Sequence, residues 1–134
     1  MKKWSDKLYS SKEKKLWEGI ILEKNEKSDE ALSIYKELVS DEEVGDRANY
    51  LIGSLYFSKE KYSDARNYFE NVMNYETSEY KDDAALKIGF TYEEEKNYQR
   101  ALSSFMRIKL LYSGSPLRDL AEIKIAENYE NMVS

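Results

Sequence analysis

The sequence predicts an all-α protein, an α-α superhelix of about three helix pairs followed by a C-terminal capping helix. Three observations lead to this fold class. The 134 residues include one Pro and five Gly, and a many-stranded β-fold would need more of these turn-forming residues. Apolar residues recur at intervals of three and four, the period of an α-helix. The same pattern returns every 34 to 37 residues, which predicts a tandem repeat.

The repeat is clearest at a small residue, found at Gly19, Gly53, Gly89 and Ala126 with spacings of 34, 36 and 37 residues. An alanine follows each glycine after twelve residues, and an aromatic ring follows each alanine after four. These residues are Ala31 and Tyr35, Ala65 and Phe69, and Ala101 and Phe105. Small side chains on facing positions let two helices approach closely, so we expect each glycine to lie against its partner helix.

Residues of the types that cap helix N-termini divide the sequence into seven predicted helices. Ser10 and Glu13 form a capping-box pattern. Other residues of cap-forming type stand where helices are expected to begin: Ser28, Asp46, Ser78 and Ser115, with Pro116 at a first-turn position. The predicted helices are 12–25, 29–39, 46–58, 62–74, 79–95, 98–112 and 116–131.

The last helix has no partner helix. It carries Leu120, Ile123 and Ala126 on one stripe, which predicts a terminal cap that seals the stack; the alternative is the first half of a truncated fourth repeat. The predicted organisation is a basic lead-in at 1–11 and one repeat domain at 12–134. Within the domain we expect repeats near 12–45, 46–81 and 82–118, with the capping helix at 119–131.

Charge is distributed unevenly along the chain, whose formal net charge is −5. Residues 1–15 carry six Lys against Asp6 and Glu13, so this segment has a charge of +4 and the remainder −9. An acidic body repels phosphate backbones, so no nucleic-acid partner is expected. The basic segment, with Trp4 and Tyr9 between the charges, is interpreted as a flexible lead-in; the alternative is contact with a membrane surface or an acidic partner.

The composition argues against an enzyme. Cysteine and histidine are both absent, which removes thiolate chemistry, the commonest general base and the commonest zinc ligand. Glu93, Glu94 and Glu95 are adjacent on a predicted helix and point about 100° apart, so they are interpreted as a solvated face and not as a metal or acid–base site. We therefore assign no catalytic residue, no metal site and no cofactor.

No apolar run approaches the roughly 18–20 residues that span a bilayer, so no membrane span is expected. The first residues, Met1-Lys2-Lys3-Trp4, are followed by polar residues and not by the apolar segment of a signal peptide. This pattern predicts a cytoplasmic protein. A periplasmic location is the alternative if a leader has been trimmed.

Two copies of the repeat resemble the tetratricopeptide signature. They are Ile52-Gly53-x-x-Tyr56 with Ala65-x-x-x-Phe69, and Ile88-Gly89-x-x-Tyr92 with Ala101-x-x-x-Phe105. The likeness covers roughly residues 12–131. It departs from the family at the opening aromatic, replaced by Lys15, Asn49, Ala85 and Glu122, and at the proline after the second helix, replaced by Thr77 and Ser113. The repeat style is similar to that of bacterial envelope proteins such as the Tol-Pal coordinator and the BAM-complex lipoprotein, which are periplasmic protein-binding scaffolds.

The resemblance implies a concave groove, lined by the first helix of each pair, that binds a partner peptide. Carried onto this chain, it predicts the groove residues Trp17, Arg47, Tyr50, Ser54, Phe57, Asp83, Lys87, Phe90 and Glu94, with Ile20, Leu51 and Leu86 on the same face. Phe57 and Phe90 lie one residue past packed positions, so we expect them to be exposed to a partner. For Trp17 and Tyr50, core packing is the preferred interpretation.

The function that the resemblance implies is protein–protein interaction. We predict an adaptor that binds a protein or peptide partner in the groove, and the alternative is self-association through the repeat ends to form a homo-oligomer. Some family members hold a chaperone's terminal carboxylate in a Lys-and-Asn clamp. The matching positions here are Glu13, Trp17, Asp83 and Lys87, and the two acidic residues argue against that ligand.

Overall fold

The computed structural model describes residues 9–134, which form seven α-helices. The helices are α1 (Ser11–Lys24), α2 (Ser28–Leu38), α3 (Gly45–Ser58), α4 (Tyr62–Met73), α5 (Lys81–Glu94), α6 (Tyr98–Leu111) and α7 (Arg118–Val133). The all-α prediction is confirmed, and each boundary lies within two residues of its predicted place. Residues 1–8, which hold most of the predicted lead-in and Trp4, lie outside the described residues.

Each helix packs against its neighbours in sequence, as in a helical stack. We call α1, α3, α5 and α7 the A helices, and α2, α4 and α6 the B helices. Three clusters of buried side chains run through the stack, and each contains the ring of one B helix: Tyr35, Phe69 and Phe105. Neighbouring clusters share half-buried residues such as Tyr56 and Tyr92, so the core continues from one pair to the next.

The recurring glycines lie where the two helices of a pair come closest. A Cβ atom added at Gly53 would lie 2.7 Å from the Phe69 ring, and one added at Gly89 would lie 2.4 Å from the Phe105 ring. The first pair repeats this arrangement. Both distances are well inside van der Waals contact, which confirms that the small residue permits close helix approach.

The turns that join the two helices of each pair share one backbone conformation. Glu26, Glu60 and Lys96 each adopt a left-handed conformation, with φ of 62°, 61° and 60°. The residue after each donates its backbone N–H to a carbonyl in the last turn of the A helix, at 2.8–2.9 Å. This is a Schellman motif, which glycine usually forms because it adopts positive φ without strain. Because Glu or Lys occupies this position in all three turns, no glycine in the sequence indicates where the turns lie.

Serine hydroxyls connect successive pairs. Ser78 accepts a hydrogen bond from the Tyr80 N–H and donates its own to Asp46 at 2.6 Å; Ser115 repeats the arrangement with Asp82. Both serines lie in the turn before their A helix, which begins two residues later than predicted. They were expected to cap these helices, but the N-cap positions are Tyr80 and Leu117, and the two serine hydroxyls bind the previous repeat instead.

The N-terminal pair is held by two polar arrangements. Ser10 and Glu13 form the predicted capping box, with bonds of 3.1 and 3.2 Å. Asp41 accepts from the Val44 N–H at 2.9 Å and forms an ion pair with Lys12 at 2.5 Å. The Lys12 ammonium and the backbone donors lower the pKa of the Asp41 carboxyl. These contacts tie the start of α1 to the start of α3.

The packed face of α7 differs from the prediction. Ala121 and Asn128 are fully buried, whereas Leu120 is 38% exposed, Ile123 is 55% exposed and Ala126 is exposed. The stripe of Leu120, Ile123 and Ala126 therefore does not seal the stack. The positions of α5 that are equivalent to Ile123 and Ala126 are covered by the helices that follow α5. In its pattern, α7 therefore resembles an A helix, which is the first helix of a pair.

The acidic run at the end of α5 is not a plain solvated face. Glu93 pairs with Lys124 at 3.0 Å, and Glu95 pairs with Arg66 at 2.6 Å. The two carboxylates point to different neighbouring helices, as expected for residues two apart on a helix. Among residues 9–134, no helix is long and apolar enough to cross a membrane.

Candidate protein-binding groove

We call the face of the A helices on which the nine groove residues were predicted the A-helix groove. Its main feature is an apolar cavity of about 280 Å³ between α1, α3 and the start of α5. The cavity is lined by Trp17, Ile20, Arg47, Tyr50, Leu51 and Tyr80. Five of these were placed on the groove face by sequence analysis, so the structure brings side chains of α1 and α3 and the N-cap residue of α5 around one opening.

Tyr80 is the lining residue that sequence analysis missed. Its ring centroid lies 5.4 Å from that of Tyr50. It stands four residues before the buried Ala84, and the repeat spacings place Val44 and Leu117 at the equivalent positions. A large apolar residue before α3, α5 and α7 was therefore visible in the sequence, whereas Ser10 stands before α1. The signal was overlooked because Tyr80 was assigned to the body of a helix beginning at 79.

A polar network joins α3 and α5 beside the cavity. The Tyr50 hydroxyl donates to Asp83 at 2.9 Å, and Lys87 donates to Tyr50 at 2.5 Å and to Asp83 at 2.9 Å. Burial raises the pKa of Tyr50. Burial alone would lower the pKa of Lys87, but its bonds to Tyr50 and Asp83 outweigh that effect and raise it. The network holds the Tyr50 ring as one wall of the cavity.

Arg47 is the one charged residue lining this cavity. It is half-buried, and within residues 9–134 its guanidinium has no carboxylate partner. Burial raises the pKa of Tyr80, and the positive charge of Arg47 partly opposes that rise. The cavity therefore combines apolar walls with a guanidinium group that is paired with no carboxylate of residues 9–134.

Phe57 and Phe90 are not freely exposed, contrary to expectation. Phe57 packs edge-on against Tyr62, with ring centroids 5.3 Å apart, and Phe90 packs edge-on against Phe105 at 5.8 Å. Both are half-buried and belong to the margins of the core. Leu86, also expected on the groove face, is 5% exposed and is buried in the cluster that contains Ala121 of α7. The prediction of exposure failed because the B helix of the same pair covers Phe57 and Phe90, and α7 helps to cover Leu86.

The remaining groove residues lie away from the cavity. Ser54 is half-buried on α3, and Glu94 is exposed at the end of α5. Burial raises the pKa of Tyr62, and the negative charge of Glu94 adds to that rise. Neither Ser54 nor Glu94 lines the cavity.

The opposite surface of the stack carries another cavity, of about 330 Å³, between α4 and α6. Arg66 and Arg107 line it, but each pairs with a carboxylate, Glu95 at 2.6 Å and Glu70 at 3.0 Å. Arg66 also lies over the Tyr92 ring, 4.2 Å from its centroid. Arg66 and Arg107 are thus already paired, and Arg100, the third arginine of the lining, is exposed to water. This favours the A-helix groove as the candidate site.

Two segments, residues 46–77 and 83–115, each match a model of the tetratricopeptide repeat. Both segments are therefore assigned as tetratricopeptide repeats. The two tetratricopeptide segments correspond to the pairs α3–α4 and α5–α6. No curated protein matches the chain in a sequence search.

Tetratricopeptide repeats in general serve protein–protein interaction, and they are typically non-catalytic. The pair α1–α2 lies outside both matches, yet Gly19 meets Tyr35 as Gly53 meets Phe69. The matching models describe tetratricopeptide repeats in general, so the likeness to envelope proteins stays a prediction.

Proposed function

We propose that the chain is an adaptor that binds a segment of a partner protein in the A-helix groove. The observation that carries this proposal is the apolar cavity between α1, α3 and the start of α5. Aromatic and aliphatic walls of this kind hold the anchor side chains that dominate binding energy at protein interfaces. The Tyr50–Asp83–Lys87 network supports the proposal because it holds one wall in place before a partner arrives.

The test is affinity capture from a lysate of the source organism with mass spectrometry. The native chain is compared with the double variant Trp17→Ala and Leu51→Ala, which removes two walls of the cavity. Ile21→Ala is the matched control, because Ile21 is an exposed apolar residue on α1 outside the cavity lining. Circular dichroism establishes that all three proteins are folded.

A partner retained by the native chain and the control but lost by the double variant is the expected result. A partner captured equally by all three proteins would show that binding occurs elsewhere. Phe57 and Phe90, which the sequence suggested for this test, are unsuitable because their replacement would disturb packing against Tyr62 and Phe105.

A second candidate function is self-association through α7. Ile123 and Tyr129 are 55% and 49% exposed, and Val133 is 87% exposed, so this end of the stack presents apolar surface. Head-to-tail stacking is disfavoured, because α1 carries Lys14 and Glu18 where the other A helices carry alanine and isoleucine. Two α7 faces meeting about a two-fold axis avoid burying those charges.

Analytical ultracentrifugation tests this second function. Self-association through α7 predicts a mass that rises with protein concentration for the native chain and stays at the monomer value for Ile123→Lys. A monomer mass for the native chain at all concentrations would remove the candidate. It would leave groove binding untouched.

A further inference from the structure

The chemistry of the groove's occupant can be taken further, on the basis of the proposed function. The cavity of about 280 Å³ is at the small end of the range for ligand sites, roughly 300–1,000 Å³. A space of this size suits one or two side chains better than a whole cofactor. Because most of its lining is aromatic or aliphatic, the side chain that enters it must be large and apolar.

Arg47 adds a second requirement. Three of the five arginines, Arg66, Arg107 and Arg118, pair with carboxylates. Arg100 is exposed, so water solvates its charge. Arg47 differs from all four, because it is half-buried at an apolar cavity and has no carboxylate partner among the described residues. A guanidinium in such a place is best completed by an anion.

The acidic residues Asp46 and Asp83 form no ion pair with Arg47, and both accept hydrogen bonds from other side chains. Asp46, its neighbour in sequence, accepts the Ser78 hydroxyl at 2.6 Å. Asp83 accepts from Tyr50 and Lys87, both at 2.9 Å. The anion that completes Arg47 must therefore come from the bound partner.

The charge at this position is particular to the second repeat. The repeat spacings place Glu13, Asp83 and Leu120 at the positions equivalent to Arg47. A cation occurs at this position once in four A helices. The requirement for an anion therefore belongs to the junction of α1, α3 and α5, and does not follow from the repeat pattern.

We infer that the A-helix groove selects a partner segment in which a large apolar side chain lies within one or two residues of an Asp or Glu. The apolar side chain fills the cavity, and the carboxylate accepts hydrogen bonds from the Arg47 guanidinium. The carboxylate comes from a side chain and not from a chain terminus. Lys87 donates to Asp83 and Tyr50, so Arg47 is the one available cation at the cavity, and a terminal carboxylate is normally held by several donors.

The test begins with a displayed library of random 12-residue peptides, selected on the native full chain. Peptides that also bind the Trp17→Ala and Leu51→Ala double variant are removed. The survivors are synthesised with an acetylated N-terminus and an amidated C-terminus, so that no terminal carboxylate is present. Dissociation constants are then measured by fluorescence anisotropy.

The expected result is a set of peptides that pair a large apolar residue with Asp or Glu. Replacing that acid by its amide weakens binding about ten-fold, the usual size of a charge-assisted hydrogen bond. Arg47→Gln weakens the acidic peptide by the same factor and leaves the amide peptide unchanged. Arg100→Gln, a charge-matched control on α6, has no effect on either peptide.

The outcomes separate the inference from the function on which it rests. Cavity-dependent peptides without an acid, or peptides unaffected by Arg47→Gln, would overturn the inference and leave groove binding intact. Binding by free-acid peptides and not by their amidated forms would identify a terminal carboxylate and also overturn it. If no peptide depended on the cavity, the proposed function itself would fail.

The Arg47→Gln variant is expected to fold normally. Arg47 makes no ion pair with a described residue, so the variant should keep the native thermal midpoint.

Discussion

At Gly53 the absence of one carbon atom decides how closely α3 and α4 approach. The Phe69 ring that faces it is fully buried and has no room to retreat. A mid-helix glycine ordinarily costs about 1 kcal/mol relative to alanine. The close packing of the ring on the bare backbone offsets that cost, which is why the glycine recurs at the same position in three pairs.

We expect Gly53→Ala to lower the free energy of unfolding by about 1 kcal/mol and Gly53→Leu by about 3 kcal/mol. The strain of overpacking, about 1–3 kcal/mol, exceeds the gain in helix propensity. Urea denaturation followed by circular dichroism measures both. Gly114→Ala is the matched control and should change little, because a Cβ atom there meets nothing within 4 Å. Equal stability of Gly53→Leu and the native chain would contradict the packing explanation.

Asp41 makes part of the stability depend on pH. Its pKa is lowered from the ordinary value of 3.8, so its contribution is fully present above that pH and is lost as the pH falls through the lower, folded-state value. Asp41→Asn should therefore be less stable than the native chain at pH 7, and the difference should shrink as the pH falls below 3.8 and through the lower, folded-state pKa of Asp41. Thermal midpoints measured across this range test the effect; a constant difference at every pH would show that the carboxylate charge is not involved.

Individual groove residues were predicted unevenly from the sequence. Trp17, Arg47 and Tyr50 line the cavity, because residues on one helix stripe reach the same side. Core packing had been the preferred interpretation for Trp17 and Tyr50, and Tyr50 also packs against the core. Phe57 and Phe90 were expected to be exposed, and they pack against rings of neighbouring helices. Helix periodicity gives the direction of a side chain and says little about which neighbouring helix covers it.

Each A–B turn is an element whose conformation the residue type does not favour. A residue with a side chain at positive φ lowers the free energy of unfolding by about 1 kcal/mol, and glutamate is not a residue type that tolerates this conformation. The Schellman hydrogen bonds hold it there, with the Lys61 N–H bonded to the Tyr56 carbonyl at 2.9 Å. The turns are therefore strained at one residue in each of three pairs.

Glu60→Gly should raise the free energy of unfolding by roughly 0.5 kcal/mol, since glycine adopts positive φ without strain and this gain exceeds its entropic cost. Lys59→Gly, at the adjacent residue with φ of −93°, should lower the free energy of unfolding because it gains nothing from glycine. Paired thermal denaturation of the two variants measures the sign of each change. A loss of stability in both would mean that the turn at Glu60 is relaxed.

Helix boundaries were predictable because each element carries its own apolar stripe and short polar turns separate the elements. The packed face of α7 was not. Its apolar residues occur on more than one side, so the sequence alone does not indicate which side meets α6. The buried choice, Ala121, has a small side chain, which lets the two helices approach closely.

The whole molecule is a one-dimensional stack, so stability passes between neighbouring helices. α3 to α5 have neighbours on both sides, whereas α7 packs against α6 and leaves its other face uncovered. Local opening should therefore begin at an end and move inward, one helix at a time.

Native-state hydrogen exchange should show α7 amides exchanging at least about ten-fold faster than those of α3 and α5, because α7 opens without breaking the central clusters. Ala121→Gly, which weakens the buried contact of α7, should increase exchange in α7 and leave α3 unchanged. The readout is peptide-resolved deuterium uptake by mass spectrometry. Uniform protection along all seven helices would instead indicate a single all-or-none unit.

The charges on α1 also bear on how such an array can grow. Lys14 and Glu18 occupy positions where every other A helix is alanine and isoleucine, so an extra pair added before α1 would bury two charges. A gene duplication that inserts a pair after α7 meets Ile123 and Ala126 and needs no compensating substitution. The molecule therefore has a direction of elongation, and a designer who wants a longer binding surface should lengthen it from the α7 end.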